Sequence, residues 1–241
     1  MIGHRGTRYQ FDENTLEAFK IAINQGANYI EFDVRSSKDG KLVVIHDETI
    51  NRTTNGFGKV KDILYSEISK AKTLMNKSRI PLLEEVLEAF HDKIYFMIEL
   101  KEYGISEQIL ELISQKRLKN SCIISGRDLG ELLRIKMKYP HIQTCYNITK
   151  AKNPDLKTFL TLNSVEINLI RPDLISLSSE RISSEFINKC HENQILALAW
   201  NFIEYKNPKL IIKKLINMNI DGILFDNHNN IEEIAKLVNK R

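Results

Sequence analysis

The opening 34 residues, MIGHRGTRYQFDENTLEAFKIAINQGANYIEFDV (Met1–Val34), decide how the chain is read. Leu16, Phe19 and Ile23 recur at helical spacing, with Asn14 where an N-cap is expected and Gly26 where a helix stops. Tyr29–Val34 then sets Ile30, Phe32 and Val34 against Glu31 and Asp33, the period of two that marks a strand. Met1–His4 is short, but as a strand it completes a strand–helix–strand unit and carries His4 and Arg5 at its end. Such a unit makes a parallel pair joined by a crossover helix.

The alternation continues along the chain. Strand-like runs fall at Lys93–Leu100, Ser121–Ser125, Ile142–Ile148, Ser164–Ile170, Ile195–Trp200 and Gly222–Asp226. Amphipathic stretches such as LLEEVLEAF, SEQILELISQKRL, GELLRIKMKY, DLKTFLTL, SSEFINKCHEN and KLIIKKLINM lie between them, and IEEIAKLVN closes the series. Eight such units predict an α/β chain closed into a (β/α)8 TIM barrel. An open doubly wound sheet is the alternative, but no GxGxxG turn follows any strand. The 241 residues suit a single barrel domain over 1–241.

One run is left over. KLVVIHD (Lys41–Asp47) follows the second strand after only RSSKDG, too short for a parallel crossover, so it must return antiparallel and bring His46 back to that strand's end. Residues 47–81 are too long for an ordinary loop. They predict a small insertion after strand 2, folded over the barrel mouth.

Composition narrows the function classes. A hydrophobic share of 42% and a charged share of 27% describe an ordinary soluble globular chain. The net charge of +4 comes from 35 Lys+Arg against 31 Asp+Glu, spread without a basic arm, so no nucleic-acid partner is expected. No apolar stretch approaches the ~20 residues of a membrane helix, so no stable membrane insertion is expected either. Cys122, Cys145 and Cys190 are odd in number and lack CxxC spacing. Buried free thiols in a reducing compartment follow, and with no leader before the first motif a cytoplasmic protein is expected. A homo-oligomer stays open.

In a barrel of this kind the site gathers at the C-terminal ends of the strands. Those ends carry His4 and Arg5, then Glu31 and Asp33, then Glu99 and Lys101, while the hairpin returns His46 and Asp47. Three converging carboxylates repel one another unless a cation sits between them. An acid-only set suits a hard ion, Mg²⁺ or Ca²⁺ with Mn²⁺ next, whereas zinc would want His or Cys. The bland alternative is that these acids pair with Arg5, Lys101 or Arg35. Two histidines beside them suit proton transfer, and Arg5 and Lys101 suit phosphate oxygens. Together they describe phosphodiester cleavage of a small-molecule substrate better than Schiff-base chemistry. Asp47, with Asn51 and Arg52, orders the hairpin exit. Trp200 ends the seventh strand, where it lines a pocket or joins the core.

GHRG, ENTLEAF, IEFDV, KDGKLVVIHD, RTTNGFGKV, IPLLEEVL and IELK, in this order, resemble the glycerophosphodiester phosphodiesterase family. The resemblance implies a (β/α)8 barrel with a small insertion after strand 2, a divalent metal, and hydrolysis of glycerophosphodiesters to glycerol 3-phosphate and an alcohol. It assigns His4 and His46 to the acid/base pair, Glu31, Asp33 and Glu99 to the metal, and Arg5 and Lys101 to the phosphate. Glu13 matches the acid of the ENT motif in a supporting role, and Trp200 falls where an aromatic often stands beside the glycerol.

The second half departs from the family pattern. Ser125 is followed by Gly126 where Ser-Phe is common, the sixth strand as read offers Glu166, Asn168 and Arg171, and the last strand ends in Asp226-Asn227-His228. These positions shape the alcohol side of the pocket. Two alternatives therefore stand beside the first reading: lysophospholipase D or sphingomyelinase D-like cleavage of lipid diesters, for which GFGKVKDILYSEI and Phe202 would be an apolar entrance although a place in the core is the first expectation for them, or a non-catalytic phosphate-binding barrel.

Overall fold

The computed structural model describes residues 1–149, 154–231 and 234–235. It opens with β1 (Ile2–His4), α1 (Leu16–Asn24), β2 (Tyr29–Ser36) and β3 (Leu42–Val44). After α2 (Tyr65–Ile68) and α3 (Leu83–Phe90), strands and helices alternate: β4 (Tyr95–Leu100), α4 (Ser106–Gln115), β5 (Cys122–Gly126), α5 (Leu129–Lys138) and β6 (Gln143–Asn147). Then come α6 (Leu156–Thr161), α7 (Ser164–Ile170), β7 (Leu174–Ser178), α8 (Ser184–Glu192), β8 (Leu196–Trp200), α9 (Pro208–Asn217) and β9 (Gly222–Phe225). Of the helix expected over Ile231–Asn239, only Ile231, Ile234 and Ala235 are among the described residues.

Eight parallel strands form a ring, β1-β9-β8-β7-β6-β5-β4-β2, which closes where β1 pairs β2. Closure rests on three residues: Ile2 pairs both Tyr29 and Leu224, and His4 pairs Glu31. Because β1 ends there, the same edge of β2 is free further on. β3 takes it antiparallel, with Val34 opposite Val44 and Ser36 opposite Leu42.

Alternation along each strand sorts the core into two layers. Outward residues Ile30, Phe32, Val34, Phe96 and Ile98 pack with Phe19, Leu83 and Leu87 of the helices, all fully buried. Each such large side chain contributes about 1.5–3 kcal/mol by leaving water. Inside the ring, Ile2, Met97, Ile123, Cys145, Leu174, Leu198 and Leu224 form an apolar plug, one residue from each ring strand except β2, whose partly buried Tyr29 packs against it. A third cluster of Val43, Ile45, Ile50, Val60, Ile68, Ala71 and Ile80 packs between β3 and residues 50–80. The three cysteines are free and buried. Among the described residues no helix is long and apolar enough to cross a membrane.

The sequence reading erred at two places. The sixth barrel strand is Leu174–Ser178, and Ser164–Ile170 is helical. Asn163 accepts from the Val165 and Glu166 amides while Glu166 accepts from the Asn163 amide, a capping box that starts a helix. The alternation of Val165, Ile167 and Leu169 misled because only Ile167 is buried; the other two are exposed. Glu166, Asn168 and Arg171 thus belong to α7 and its end, not to a barrel strand. The cap of α1 is Thr15, which accepts from the Ala18 amide, not Asn14. Phe202 is 2% exposed and packs in the core, the first of the two places considered for it, so it lines no entrance.

Candidate active site

Two residues above the apolar plug, nearly every barrel strand turns a polar or aromatic side chain inward. His4 stands above Ile2, Glu99 above Met97, Ser125 above Ile123 and Asn147 above Cys145. Ser176 stands above Leu174, Trp200 above Leu198 and Asp226 above Leu224, while β2 turns in both Glu31 and Asp33. The site is the next inward layer of the barrel, set by the strand period itself.

The turn after β1 is unusually tight. Arg5 has φ of 53° and Gly6 of 79°, both in the left-handed region, and the Gly6 amide donates to the Gly3 carbonyl at 3.1 Å. A Cβ on Gly3 would stand 2.6 Å from the Gly6 carbonyl oxygen, and one on Gly6 2.7 Å from the Ala18 carbonyl carbon. Both glycines of GHRG are therefore required by close approach. The turn aims the Arg5 amide at Glu31 Oε2 (2.9 Å) and its side chain at Glu13 Oε1 (2.8 Å) and Asp33 Oδ2 (3.3 Å). Strain of about 1–2 kcal/mol at Arg5 is offset by these bonds.

Glu31, Asp33 and Glu99 are all buried and bring ligand oxygens within 4.8 Å of one another. Lys101 Nζ lies 2.9 Å from Glu99 Oε1 and 3.3 Å from Asp33 Oδ1. The pairing expected as the bland alternative is thus present, but incomplete: buried Glu31 Oε1 accepts no hydrogen bond, and buried Asp33 Oδ1 has only the Lys101 ion pair. Burial, with Asp33 and Glu99 alongside, raises the Glu31 carboxyl well above its ordinary range. Burial also acts against ionised Asp33, but the charges of Lys101 and Arg5 outweigh it and hold Asp33 low. A ring of carboxylate oxygens short of donors, one of them driven toward its protonated form, fits a hard divalent cation.

Both histidines are held through Nδ1 by an acid. His4 Nδ1 lies 2.8 Å from Asp226 Oδ1, with His4 Nε2 4.0 Å from Glu31 Oε2. His46 Nδ1 lies 2.7 Å from Asp47 Oδ1. Since an ionised carboxylate only accepts, the Nδ1 proton of each neutral ring is committed and Nε2 is its free acceptor. His46 reaches the mouth because the Ile45 amide donates to the Asp33 carbonyl at 2.9 Å. Burial and the Lys101 and Arg5 cations lower its pKa against the pull of Asp33.

Asp47 is gripped in turn by Arg52 Nε at 2.5 Å, and Arg52 Nη2 also donates to Glu13 Oε1 at 2.6 Å. Glu13 therefore ties the Arg5 turn to the start of the 47–81 segment. Burial would raise Glu13, but the Arg52 hydrogen bond and the Arg5, Arg52 and Arg8 charges bring it down to about 2. Trp200 is half-buried and lines a narrow cavity of about 30 Å³ with His4, Glu31, Ser125, Asn147 and Ser176.

Four contributors escaped the sequence reading. Asp226 was noted only as a departure from the family, yet it accepts from His4, Arg8 and the Phe202 amide. Its inward position two residues after Leu224 was the available signal. Asn14 donates Nδ2 to Asp33 Oδ2 at 2.9 Å instead of capping. Asn147 and Ser176 are bonded to each other at 2.7 Å; Ser176 was missed because its strand was misplaced, and Asn147 although its strand was read where it lies.

The model of the Glycerophosphoryl diester phosphodiesterase family matches residues 4–230. A glycerophosphodiester phosphodiesterase of Caldanaerobacter subterraneus subsp. tengcongensis is 33% identical over an alignment of 261 residues, covering 100% of this chain and 98% of that one. Among solved structures, the glycerophosphodiester phosphodiesterase of Thermotoga maritima gives a TM-score of 0.79 at 30% identity, covering 98% of this chain and 96% of that one. An Oleispira antarctica phosphodiesterase, solved in complex with the product sn-glycerol-3-phosphate, gives 0.81 at 22% identity, covering 99% and 96%; that likeness is one of fold.

Proposed function

The chain belongs to the glycerophosphoryl diester phosphodiesterase family, and from that premise we propose that it hydrolyses glycerophosphodiesters to glycerol 3-phosphate and an alcohol. His4 and His46 transfer the protons, and Glu31, Asp33 and Glu99 hold a divalent cation, Mg²⁺, Ca²⁺ or Mn²⁺. The observation that carries this reading is the pair of buried oxygens that accept no hydrogen bond, Glu31 Oε1 and Asp33 Oδ1, at a mouth that also holds two acid-anchored histidines.

When bound, the cation would supply charge neutralisation for the phosphodiester oxygens. The chain's own residues do the rest. Arg5 and Lys101, fixed by Asp33, Glu13 and Glu99, present cationic donors to the phosphate. One histidine Nε2 accepts the proton of the attacking hydroxyl, and the other, protonated, donates to the departing alcohol oxygen. Asp226 and Asp47 keep each ring in the required tautomer and stabilise its charged form. The whole chain is one catalytic unit, with residues 47–81 as an insertion whose Arg52 braces the mouth. Its buried free thiols suit a reducing, cytoplasmic setting.

The test is hydrolysis of glycerophosphocholine with Mg²⁺, Ca²⁺ and Mn²⁺ in parallel, with glycerol 3-phosphate identified by mass. Turnover should require a cation and be lost in His4→Ala, His46→Ala and Glu31→Ala, each folded by circular dichroism. Wild-type turnover that survives all three substitutions would refute the assignment.

A further inference from the structure

Two cavities meet at Glu99. The narrow one, about 30 Å³, is closed in by Ser125, Asn147, Ser176 and Trp200. The wide one, about 320 Å³, opens between the upper ends of β4 and β5 and is bordered by Leu100, Lys101, Gly126 and Arg127. Gly126, the last residue of β5, borders it without a side chain. A Cβ built on Gly126 would meet only Leu100 and Leu132 atoms at 3.8–3.9 Å, ordinary contact with room to spare.

Arg127 is the next residue and reaches both cavities. Its side chain is 45% exposed, and its ion pair is a 3.5 Å approach of Nε to Glu99 Oε1. The other cations on the rim are engaged: Lys101 with Asp33 and Glu99, Arg35 with the His46 carbonyl and Glu102. Of the rim carboxylates, Glu102 accepts from the Ser36 amide, Asp128 caps α5 and Glu131 is held by Ser106 and Arg134, while Glu48 stands exposed at the outer edge. Arg127 alone on this rim holds only to Glu99, a residue assigned above to the cation.

We propose that the wide cavity receives the alcohol half of the diester and that Arg127 selects alcohols carrying an anionic group, a carboxylate or a phosphate. The inference rests on the phosphodiesterase reading above. Lys101, a phosphate contact, borders the wide cavity, so the group beyond the phosphate on that side enters it. The narrow cavity, lined by the hydroxyl and amide groups of Ser125, Asn147 and Ser176, is left for the glycerol half and its hydroxyls. The planar guanidinium fork matches a carboxylate or phosphate with two parallel hydrogen bonds.

The experiment compares kcat/KM for glycerophosphoserine and glycerophosphocholine in wild type, Arg127→Ala, Arg127→Lys and Gly126→Leu. Wild type should favour the serine diester. Arg127→Ala should lower the serine-to-choline ratio about tenfold, mainly through KM, and Arg127→Lys should restore part of it. Gly126→Leu, which narrows the cavity, should raise KM for both. Calorimetric binding of O-phosphoserine against phosphocholine reads the same discrimination without turnover. A ratio unchanged by Arg127→Ala, in both turnover and binding, would overturn the proposal, as would a wild-type preference for choline. Arg127-dependent preference for phosphoserine without hydrolysis of either diester would support the pocket assignment and refute the hydrolase reading.

Discussion

His4 and Asp226 lie 222 residues apart in the chain and 2.8 Å apart in the barrel. The aspartate is buried; its carboxyl is held low because the charge and hydrogen bond of His4, the Phe202 amide and Arg8 outweigh the cost of burial. His4 is thereby fixed by Nδ1, and its Nε2 is turned toward the acids.

Asp226→Asn keeps the shape of this contact but removes the charge that fixes the tautomer. The expected outcome is a fall in kcat of about 10²-fold or more with KM little changed. Steady-state kinetics with a circular dichroism check on folding decide it. A variant within a factor of two of wild type would remove Asp226 from the mechanism.

Cation binding should be visible without turnover. Glu31 is buried, and its neighbours Asp33 and Glu99 push it toward protonation, so a bound divalent cation relieves repulsion and stabilises the folded chain. Thermal melts should shift upward with Mg²⁺, Ca²⁺ or Mn²⁺. Glu31→Gln should fold and melt normally without added cation, yet lose most of that upward shift.

Acid should unfold the protein through its mouth. Glu13 and Asp47 are each held down at about 2, and Asp33 and Asp226 are also depressed. For Asp47 burial opposes ionisation, but Arg52 and His46 prevail. The folded state therefore binds these protons less tightly than the unfolded state. Their contribution is full above the ordinary carboxylate range and drains away as pH falls through about 4.5 toward 2. Melting temperatures measured from pH 7 to 3 should stay level and then drop, with a shallower drop in Glu13→Gln.

Gly6 and Gly40 offer a matched pair. Both have positive φ, 79° and 72°, but a Cβ on Gly6 meets the Ala18 backbone whereas nothing lies within 4 Å of one on Gly40. Gly6→Ala should cost upward of about 2 kcal/mol and Gly40→Ala about 1 kcal/mol in urea unfolding. Equal costs would mean that close approach does not explain the glycine of the first motif.

Much of the fold was legible because its signals are local. The period of two in Tyr29–Val34 put Glu31 and Asp33 on one face before any contact was known, and the six-residue gap before Lys41–Asp47 forced an antiparallel return. The failure at Ser164–Ile170 was also local. A seven-residue apolar alternation looks alike in a strand and a short helix, and the capping box of Asn163 and Glu166 was the stronger signal.

By itself, then, the sequence determined the barrel, the three acids and the two histidines, since each depends on spacing within one segment. Only the tertiary structure decided which acid anchors His4, which oxygens stay without donors, and that Gly126 and Arg127 border an open cavity. Those relations arise when the ring closes and sets the last strand beside the first. Contacts between segments that distant leave no periodicity in the chain to read.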